Sequence, residues 1–565
     1  MRASLKHKTR PVKTILFVAA LQEELDALWD ENSFEWSDPK YQGDAIWYRE
    51  AKWENFRVIA ATAGEMGLVA SGIVTTKLIL RWRPEIVIDF GLCAGRSTMV
   101  EMKTDRRTKK HPLLRGDIIA STACFLYAAG FIKENELKQF RTARCKAEKR
   151  ASEFVKKAKA NWNATWMIVS KPTECAHEPT PQIFFGEYAA ADYLMRNANV
   201  MGKIAENHKN FRALEMESYA VAKSAEVLGV PFGALIVKGI LDNGTAEKND
   251  AKRVFALTAS RAFAVCLAKE FMRTTRGKIS GWHKRSLPTL VLPKKKVLVL
   301  SSSKDMFEML SKELGTSKLR GMPEGLPPIH VRLNKSLVLA ETSAKRPCGQ
   351  ADFAIWSTYY ISKCEPKLVL VSGLCLGIPK EEKAKPGKPK SVKYYTGDLL
   401  LVTRAFHHQF GAMTDGKSLE REIRSVDLND TLRNFLQAIH AETIKKWSNN
   451  FPSTFVEKHA RARKPTFASR CHIEPVASSD HLIKDQSFQD HISEFDRKVR
   501  GVDIEAYAIM RSAQHCCVDL GAQLVRGISS NLNPKCGEKY KTFCRALSVN
   551  TVVQLMNNTD LRKLL

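Results

Sequence analysis

The two halves of this chain repeat the same short sequence motifs in the same order. Residues 91–95 (GLCAG) recur as 373–377 (GLCLG), at an offset of 282 residues. Residues 214–220 (LEMESYA) recur as 502–508 (VDIEAYA), at an offset of 288. Motifs that repeat at a nearly constant offset indicate two copies of one domain. A chain of 565 residues is also too long for one hydrophobic core, but it fits two domains of ordinary size.

The two copies differ in their acidic residues. The segment VKGILDN recurs as VRGISSN, so that Asp242 corresponds to Ser530. Near the start of each copy, Glu24 corresponds to Met306. We therefore predict that the first copy is equipped for chemistry and that the second copy is degenerate.

The boundary between the copies is predicted from a stretch rich in basic residues, glycine and proline. This stretch predicts a linker at 274–294, between a first domain at 1–273 and a second domain at 295–565. Within the second domain, a charged insert rich in lysine and proline predicts an exposed loop.

The composition indicates a globular protein, with 44% hydrophobic and 26% charged residues. No apolar run approaches the roughly 20 residues that a membrane helix needs, so we expect no membrane contact. The 13 cysteines are scattered and lack the spacing of a zinc site. We therefore expect no metal site, no cofactor, and free thiols in the cytoplasm.

The chain is strongly basic, because lysine and arginine exceed aspartate and glutamate by 29. Such a charge attracts polyanions, including nucleic acid and phosphorylated small molecules. The densest basic run lies at 141–159, where it could reach a substrate phosphate or form a solvated helix face. Nucleic acid is a partner that we do not favour over a small molecule.

Short apolar runs alternate with longer helical stretches, and this pattern predicts an α/β fold. Near-continuous apolar strands are typical of a sheet covered on both faces, so each copy should contain a mixed, mostly parallel central sheet flanked by helices. The predicted strands of the first half lie at 14–20, 57–61, 86–90, 117–121 and 233–237. The predicted helices lie at 22–29, 68–82, 218–228 and 251–273.

Each motif by itself is weak evidence for a site. The pattern of Glu215 and Glu217 is common on helices, where residues two apart point to different faces, so on a helix at most one would be expected to share a site with a third acid. Residues 91–95 follow a predicted strand and are expected to form a tight turn. The segment from Lys238 to Asp242 could be a strand end with a turn. Only the combination of these motifs points to a function.

Together the motifs resemble the nucleoside phosphorylase and nucleosidase superfamily. The resemblance is strongest to its hydrolytic branch, which contains methylthioadenosine/S-adenosylhomocysteine nucleosidase. It covers about 14–272, and a weaker version covers about 297–556, which implies two tandem nucleoside phosphorylase-like domains. The features that carry it are the opening strand with Glu24, the glycines at 91–95, Gly116 and Asp117, Asp192, Glu215 to Glu217, and Lys238 to Asp242.

Cleavage of an N-glycosidic bond needs an acid that protonates the departing base and a carboxylate that orients a water molecule. The resemblance implies that Asp242 is this acid, facing the purine, and that Glu24 prepares the water. It also implies that Glu217 binds the ribose hydroxyls, where its charge favours an oxocarbenium-like transition state.

The resemblance implies that the remaining site residues bind substrate. They are Met216 against the sugar, Glu215 in support, the strand-end Gly91, and Asp192, Tyr193 and Leu194 around the purine. Adenine-specific nucleosidases carry a phenylalanine where this chain has Leu194, so the identity of the base is left open.

Three positions favour water over phosphate as the nucleophile. Phosphorylases of this superfamily hold phosphate with an arginine and a serine near the strand-end glycine, where this chain has Asp89 and Leu92. A carboxylate repels a phosphate dianion, and leucine offers it no hydrogen-bond donor. Glu24 likewise stands where the phosphorylases carry a phosphate-binding arginine.

The expected substrate is a purine nucleoside or nucleotide, and the expected product is the free base. Because a net charge of +29 favours phosphorylated ligands, we expect an adenine nucleotide such as AMP or ATP. Some nucleosidases of this superfamily are effectors of bacterial antiphage defence, which is the setting that we favour. Members also pair into dimers or larger rings, so we expect a homo-oligomer.

Two alternatives stay open from the sequence: a phosphate-dependent nucleoside phosphorylase, and a non-catalytic protein that binds nucleotides or nucleic acid. The second copy is expected to be a pseudoenzyme that completes a dimer-like interface or senses a nucleotide. Met306 and Ser530 cannot transfer protons near neutral pH, although Glu505 could still hold a ribose.

Overall fold

The structure is a computed structural model of the chain, and it describes residues 12–565 with gaps. The residues outside the description are 1–11, 30–32, 43–45, 97–98, 105–106, 128–129, 134–135, 140–143, 170–177, 196–197, 244–249, 277–295, 319–328, 333–336, 343–348, 379, 382–391, 394–395, 409–410, 414–418, 422–423, 440–468, 480, 484–491, 493–495, 497 and 531–536. The predicted linker and the predicted lysine- and proline-rich loop fall largely among them.

The chain divides into two units, and a ten-stranded sheet forms the centre of each. Unit 1 contains 1–125, 144–287 and 413–418. Unit 2 contains 126–143, 288–412 and 419–565. Strands and helices are numbered below in chain order through both units.

The first half of the chain alternates strands and helices as an α/β protein does. Its described strands are β1 (Lys13–Ala19), β2 (Lys40–Gln42), β3 (Ile46–Trp53), β4 (Phe56–Thr62), β5 (Ile86–Gly95), β6 (Met99–Thr104), β7 (Arg107–Pro112), β8 (Ile118–Leu126), β9 (Gly130–Lys133), β10 (Glu136–Gln139), β11 (Arg144–Lys146), β12 (Ile183–Ala190), β13 (Tyr193–Met195), β14 (Phe211–Glu215) and β15 (Ala234–Asp242). Its described helices are α1 (Gln22–Trp29), α2 (Leu68–Trp82), α3 (Lys149–Ala160), α4 (Trp162–Met167), α5 (Ala198–Asn207), α6 (Ser218–Val227) and α7 (Asp250–Thr275).

The sheet of unit 1 contains a closed ring of strands. β15 pairs with both β5 and β8, and the order β8–β12–β14–β5 completes the ring. β1 pairs in parallel with β4 and β5, and β15 pairs in parallel with β5. β14 runs antiparallel to β5, and β8 runs antiparallel to β15. The predicted mixed sheet flanked by helices is therefore confirmed.

Helices cover both faces of this sheet, which explains why β1 is buried along nearly its whole length. On one face, α7 contributes Phe263 and Phe271 to a core that also contains Phe17, Phe154 and Trp166. On the other face, α2 and α6 pack together, and the hydroxyls of Thr76 and Ser224 lie 3.2 Å apart. Burial on both faces selects the continuous apolar strands seen in the sequence.

One local prediction is wrong. Residues 91–95 do not form a turn, because β5 continues through them to Gly95. This part of β5 stays paired with β15, with Gly91 opposite Lys238 and Cys93 opposite Ile240. Glycine in a strand allows a close approach of another group. The spacing of the glycines in the sequence cannot distinguish this use from a tight turn.

The second half of the chain repeats the arrangement. Its described strands are β16 (Val297–Ser301), β17 (Ser317–Lys318), β18 (Ile329–Arg332), β19 (Leu337–Glu341), β20 (Leu368–Gly377), β21 (Lys380–Glu381), β22 (Val392–Lys393), β23 (Leu399–His407), β24 (Gly411–Met413), β25 (Leu419–Arg421), β26 (Arg424–Asp427), β27 (Cys471–Ser478), β28 (His481–Ile483), β29 (Gly501–Asp503) and β30 (Ala522–Ser530). Its described helices are α8 (Lys304–Leu314), α9 (Gln350–Cys364), α10 (Asp430–Ile439), α11 (Ala506–His515), α12 (Gly537–Asn557) and α13 (Thr559–Leu564).

The two large sheets have the same topology. The order β26–β23–β27–β29–β20–β16–β19–β18–β17 matches, strand for strand, the order β11–β8–β12–β14–β5–β1–β4–β3–β2, and β30 closes its ring as β15 does. The duplication inferred from the motifs therefore extends to the fold. Among the described helices, none is long and apolar enough to cross a membrane.

Candidate active site

A buried lysine lies among the acidic residues of unit 1. Lys238 is in the middle of β15 and is fully buried. Its Nζ lies 2.9 Å from Asp89 Oδ1, 3.8 Å from Glu217 Oε2 and 4.0 Å from Glu215 Oε2. The ammonium group of Lys238 therefore lies within 4.0 Å of three carboxylates, one from β5, one from β14 and one from the residue before α6. Pairing of this kind is what makes a buried charge tolerable.

Glu24 is buried near the start of α1, and its carboxylate accepts three backbone hydrogen bonds. Oε2 accepts from the amides of Ala20 at 3.0 Å and Leu21 at 3.2 Å. Oε1 accepts from the amide of Leu92 at 3.1 Å. The positive end of the α1 dipole adds to this stabilisation. The carboxylate is thereby fixed against β5.

Gly91 is where β5 comes closest to Glu24. A Cβ at residue 91 would lie 2.3 Å from Glu24 Oε1, and its φ of +144° is one that other residues rarely adopt. The Gly91 amide donates to Ser260 Oγ at 3.1 Å, and that hydroxyl donates to the carbonyl oxygen of Val237 at 2.9 Å. Both the space and the backbone conformation at this position therefore require glycine.

Glu215 and Glu217 do not lie on a helix. β14 ends at Glu215, and α6 begins at Ser218, so that Glu217 is the residue before the helix. Both carboxylates lie within 4.0 Å of Lys238 Nζ. The prediction that at most one of them shares a site with further acids is therefore wrong. The rule that residues two apart point to different faces applies within a helix, and here the helix begins only at Ser218.

Glu215 holds this junction together, while Glu217 points to the start of α2. The Glu215 carboxylate accepts from the Glu217 amide at 2.8 Å and from the Ser218 hydroxyl at 2.5 Å. Glu217 Oε1 accepts from the Gly67 amide at 3.2 Å. Met216, between the two acids, is buried.

The start of α2 also holds Asp192. The Leu68 amide donates to Asp192 Oδ1 at 2.6 Å, and Asp192 is buried. The N-terminus of α2 thus binds both Asp192, which follows β12, and Glu217, which follows β14. The backbone of Tyr193 and Leu194 lies in β13, but their side chains lie outside the described residues, and their predicted purine contacts stay predictions.

Asp242 is the last residue of β15, where a β-bulge changes the register. Ile240 pairs with Cys93, whereas Asp242 pairs with Ala94, the next residue of β5. The extra residue re-aims Asp242 relative to the side chains before it, and Asp242 is half-buried. Burial, and then Glu215 and Asp242, raise the pKa of the Cys93 thiol. Asp242 therefore lies near the buried cluster but at its edge.

Burial and mutual repulsion raise the pKa values of the carboxyl groups. Burial, with repulsion from Glu217 and Asp89, raises the pKa of Glu24 to about 7, although Lys238 opposes the shift. Burial raises the pKa of Asp89 to about 6, again against Lys238. Burial and then Glu217 raise the pKa of Glu215. Burial lowers the pKa of Lys238, but the carboxylates, Asp89 first, outweigh it and raise that pKa well above its usual value.

The cluster can therefore carry a proton near neutral pH, and Glu24 is poised to gain or release one. A carboxylate with a pKa near the working pH is suited to general acid–base chemistry. Among the described residues, no group of three or more His, Cys, Asp or Glu side chains is arranged to hold a metal ion.

Three residues of this cluster are absent from the site that the sequence predicts: Lys238, Ser218 and Ser260. A basic residue recurs at the Lys238 position as Arg526, and this repetition was the available signal. Ser260 lies in α7, 169 residues from Gly91 along the chain, and no spacing rule points to it.

The same positions in unit 2 form a smaller polar cluster. Arg526 in β30 is fully buried. Its Nε lies 2.9 Å from Asp503 Oδ2, and its Nη2 lies 2.7 Å from Glu505 Oε1. Burial raises the pKa of Glu505, although Arg526 opposes the shift. Two carboxylates therefore face one cation here.

The guanidinium of Arg526 lies where the Glu24 carboxylate lies in unit 1. A Cβ on Gly373, the counterpart of Gly91, would lie 2.4 Å from Arg526 Nη1. Met306, the counterpart of Glu24, is buried and apolar. The Gly373 Cβ would also lie 2.7 Å from Glu505 Oε1, so an arginine–glutamate pair lies against this glycine in unit 2, whereas the carboxylate of Glu24 lies against it in unit 1.

A family model matches most of the first half of the chain. Residues 14–271 match the family model described as Phosphorylase superfamily. The resemblance stated from the motifs is therefore confirmed over this part of the chain.

One curated relative and several solved structures are similar to this chain. The relative is the uncharacterized protein y4jS of Sinorhizobium fredii (strain NBRC 101917 / NGR234), which is 22% identical over 269 residues, 46% of this chain and 61% of that protein. The chain thus spans less than two thirds of that relative. The futalosine hydrolase of Helicobacter pylori strain 26695 is 16% identical, with a TM-score of 0.36, over 46% of this chain and 98% of that chain.

Two nucleosidase structures complete the comparison. The 5′-methylthioadenosine/S-adenosylhomocysteine nucleosidase of Helicobacter pylori is 16% identical, with a TM-score of 0.36, over 47% of this chain and 100% of that chain. The corresponding enzyme of Neisseria meningitidis is 17% identical, with a TM-score of 0.34, over 46% of this chain and 99% of that chain.

Proposed function

We propose that unit 1 is an N-ribosyl hydrolase that releases the free base from a purine nucleoside or nucleotide. The observation that carries the proposal is the buried carboxylate of Glu24, fixed by three amides against Gly91 and having a pKa of about 7. Such a group can accept a proton from water near neutral pH. Glu217, a second fixed carboxylate, interacts electrostatically with Glu24.

In this proposal the two carboxylates and Asp242 divide the chemistry. Glu24 orients and deprotonates the attacking water, and Glu217 binds the ribose hydroxyls and stabilises positive charge on the sugar. Asp242 protonates the departing purine. The β-bulge before Asp242 supports a separate role for it, because the acid and the base must act on opposite sides of the bond.

Water is favoured over phosphate as the nucleophile because the groups that could bind a dianion are occupied. The Leu92 amide donates to Glu24, and the Gly91 amide donates to Ser260. Lys238 Nζ already lies 2.9 Å from Asp89. A phosphate here would meet carboxylates in a region of low dielectric, where repulsion is strong.

The substrate that we favour is an adenine nucleotide, AMP or ATP, and the setting that we favour is antiphage defence. The net charge of +29 supports a phosphorylated substrate. We further propose that unit 2 does not catalyse, because Met306 and Ser530 replace Glu24 and Asp242. The boundaries at 273 and 295, the purine contacts of Tyr193 and Leu194, and a homo-oligomeric, cytoplasmic protein remain parts of this proposal.

The test is chromatography of the products after the full chain is incubated with ATP, AMP, adenosine, inosine and methylthioadenosine, with and without phosphate. We expect free base without added phosphate and no increase in rate when phosphate is present. Base release that strictly requires phosphate, with ribose 1-phosphate as the second product, would assign the protein to the phosphorylases. No base from any substrate would remove the enzymatic proposal and leave a binding protein.

A further inference from the structure

Two arginine side chains lie against one tryptophan ring in unit 1, and two further basic residues are their neighbours in the sheet and along the chain. Trp82 is the last residue of α2. The guanidinium carbons of Arg81 and Arg57 lie 4.8 Å and 5.2 Å from the centroid of its ring. Lys52 pairs with Arg57 across β3 and β4, and Arg83 follows Trp82. These five residues are called the Trp82 surface below.

The cations of the Trp82 surface are exposed or half-exposed, and among the described residues no carboxylate pairs with them. Lys52, Arg81 and Arg83 are exposed, and Arg57 is half-buried. Within the described part of the chain, none of the four forms an ion pair with a carboxylate. Like charges directly opposite each other in a sheet, such as Lys52 and Arg57, are destabilising. Folding alone therefore does not explain why these charges are grouped.

Unit 2 shows that the fold does not need this group. Glu365 occupies the position of Arg83 and has the same left-handed backbone, with φ of 45° in both residues. Cys364 stands in place of Trp82. The helix end has therefore been kept while the charge has been reversed and the aromatic ring removed.

The Trp82 surface is also separate from the candidate active site. The 15 residues of α2 lead from Leu68, whose amide contacts Asp192, to Trp82. At 1.5 Å per residue this is about 22 Å, which is too far for a phosphate of a nucleotide bound at Glu217. These charges are thus not explained by the proposed substrate.

We propose that the Trp82 surface binds single-stranded nucleic acid through its sugar–phosphate backbone. The Trp82 ring positions the planar guanidinium groups of Arg57 and Arg81, and their N–H groups can donate to phosphate oxygens, apart from the Arg81 Nη2 donor that already binds Tyr48 Oη at 3.2 Å. Unpaired bases can stack on the guanidinium group of Arg57, whereas Arg81 also contacts a second ring, that of Tyr48, at 5.2 Å. Lys52 and Arg83 extend the positive charge to either side. This binding does not depend on the proposed catalytic activity.

The experiment measures binding of a fluorescent oligothymidylate of about 20 nucleotides, longer than a typical single-strand site, to the full chain over a series of salt concentrations. The test variant carries Lys52→Gln, Arg57→Gln, Arg81→Gln and Arg83→Gln, which remove charge but keep side-chain stems over Trp82. The control variant carries Lys149→Gln, Arg150→Gln, Lys156→Gln and Lys157→Gln, which are exposed residues of α3 and remove the same charge.

We expect the test variant to bind at least about 10-fold more weakly, with the slope of log K against log salt reduced by about 3, because each single-strand phosphate contact contributes about 0.7. The control variant should keep most of the affinity. Equal losses in both variants would mean that only net charge matters, and would overturn the proposal. Tighter binding of a duplex of the same length, or retention on anionic phospholipid vesicles without oligonucleotide binding, would also overturn it.

A second variant protects the test against loss of folding. Arg57→Lys with Arg81→Lys keeps both charges and removes the planar groups. We expect weaker oligonucleotide binding with an unchanged salt slope, and thermal unfolding followed by circular dichroism checks that each variant is folded. Unchanged affinity in this variant would contradict the stacked arrangement.

Discussion

The buried polar clusters of the two units occupy the same place in the same fold, but their charges differ. In unit 1, Lys238 faces Asp89, Glu215 and Glu217 within 4.0 Å, and Glu24 lies nearby. In unit 2, one arginine faces two carboxylates. Unit 1 thus buries more carboxyl groups around its cation than unit 2 does. Because unit 2 has the same fold, folding does not require the additional acids.

This difference teaches how a degenerate copy can keep a fold. Unit 2 keeps the cation, the acid pair, the glycine and the bulge. Ile528 and Ser530 are two residues apart but pair with consecutive residues of β20, as Ile240 and Asp242 do with consecutive residues of β5. It lacks the two acids to which we assign proton transfer. The retained residues serve packing and charge balance, whereas the missing ones serve chemistry.

The largest expected effect distinguishes the two strand ends. Asp242→Asn should lower base release about 10²- to 10⁴-fold, because it removes a general acid without changing side-chain size. Ser530→Asn, at the corresponding position of unit 2, should leave the rate within about twofold. Product chromatography under identical conditions measures both. Equal losses would mean that unit 2 takes part in catalysis.

The next effect compares the two glycines. Gly91→Ala should displace the Glu24 carboxylate, since the new Cβ would lie 2.3 Å from Oε1. A displacement of this size costs about 10²-fold in rate. Gly373→Ala displaces Arg526 instead and should leave base release unchanged. Circular dichroism verifies that both variants fold, and a fully active Gly91→Ala variant would remove Glu24 from the mechanism.

A smaller effect is expected in the pH dependence of the reaction. Because Glu24 must be ionised to accept a proton and its pKa is raised to about 7, kcat/KM should fall about tenfold for each pH unit below that value. An acid limb near pH 4.5 instead would indicate that a different, unperturbed carboxylate is the base.

Stability should change with pH in the opposite direction. Between the usual value of 4.5 and about 7, Glu24 binds a proton in the folded state but not in the unfolded state. The free energy of unfolding therefore falls as pH rises through this window, by about 3 kcal/mol from this group. Glu24→Gln should flatten the fall, whereas Glu23→Gln, on the exposed side of α1, should not. Denaturant midpoints at several pH values provide the measurement, and identical pH profiles would contradict the assignment.

The smallest effect should be similar in the two units, although Ser548 also contacts the Ser372 hydroxyl at 2.9 Å. Ser260 and Ser548 each accept from a glycine amide, at 3.1 and 3.2 Å, and each donates to a strand carbonyl at 2.9 Å. Replacement of either by alanine should lower the free energy of unfolding by about 1–2 kcal/mol. Hydrogen exchange of the peptides containing Gly91 and Gly373 locates the loss. A clearly larger loss in one unit would show that the clusters differ in packing as well as in charge.

Much of the fold was already determined by the sequence. The repeated motifs predicted the duplication, and the predicted helices at 22–29 and 68–82 have the same bounds as α1 and α2. Apolar periodicity is a local property, so it can be read without knowing which segments meet. The replacement of Glu24 by Met306 and of Asp242 by Ser530 follows from the alignment of the two halves alone.

Only the tertiary structure decided how the acids share one cation. Lys238 meets Asp89 and Glu217 because β15, β5 and the start of α6 converge, although these residues are far apart in the chain. The pKa of Glu24 depends on burial and on charges that no local pattern contains. Local preferences can be read from neighbouring residues, but an electrostatic environment exists only once distant segments have packed together.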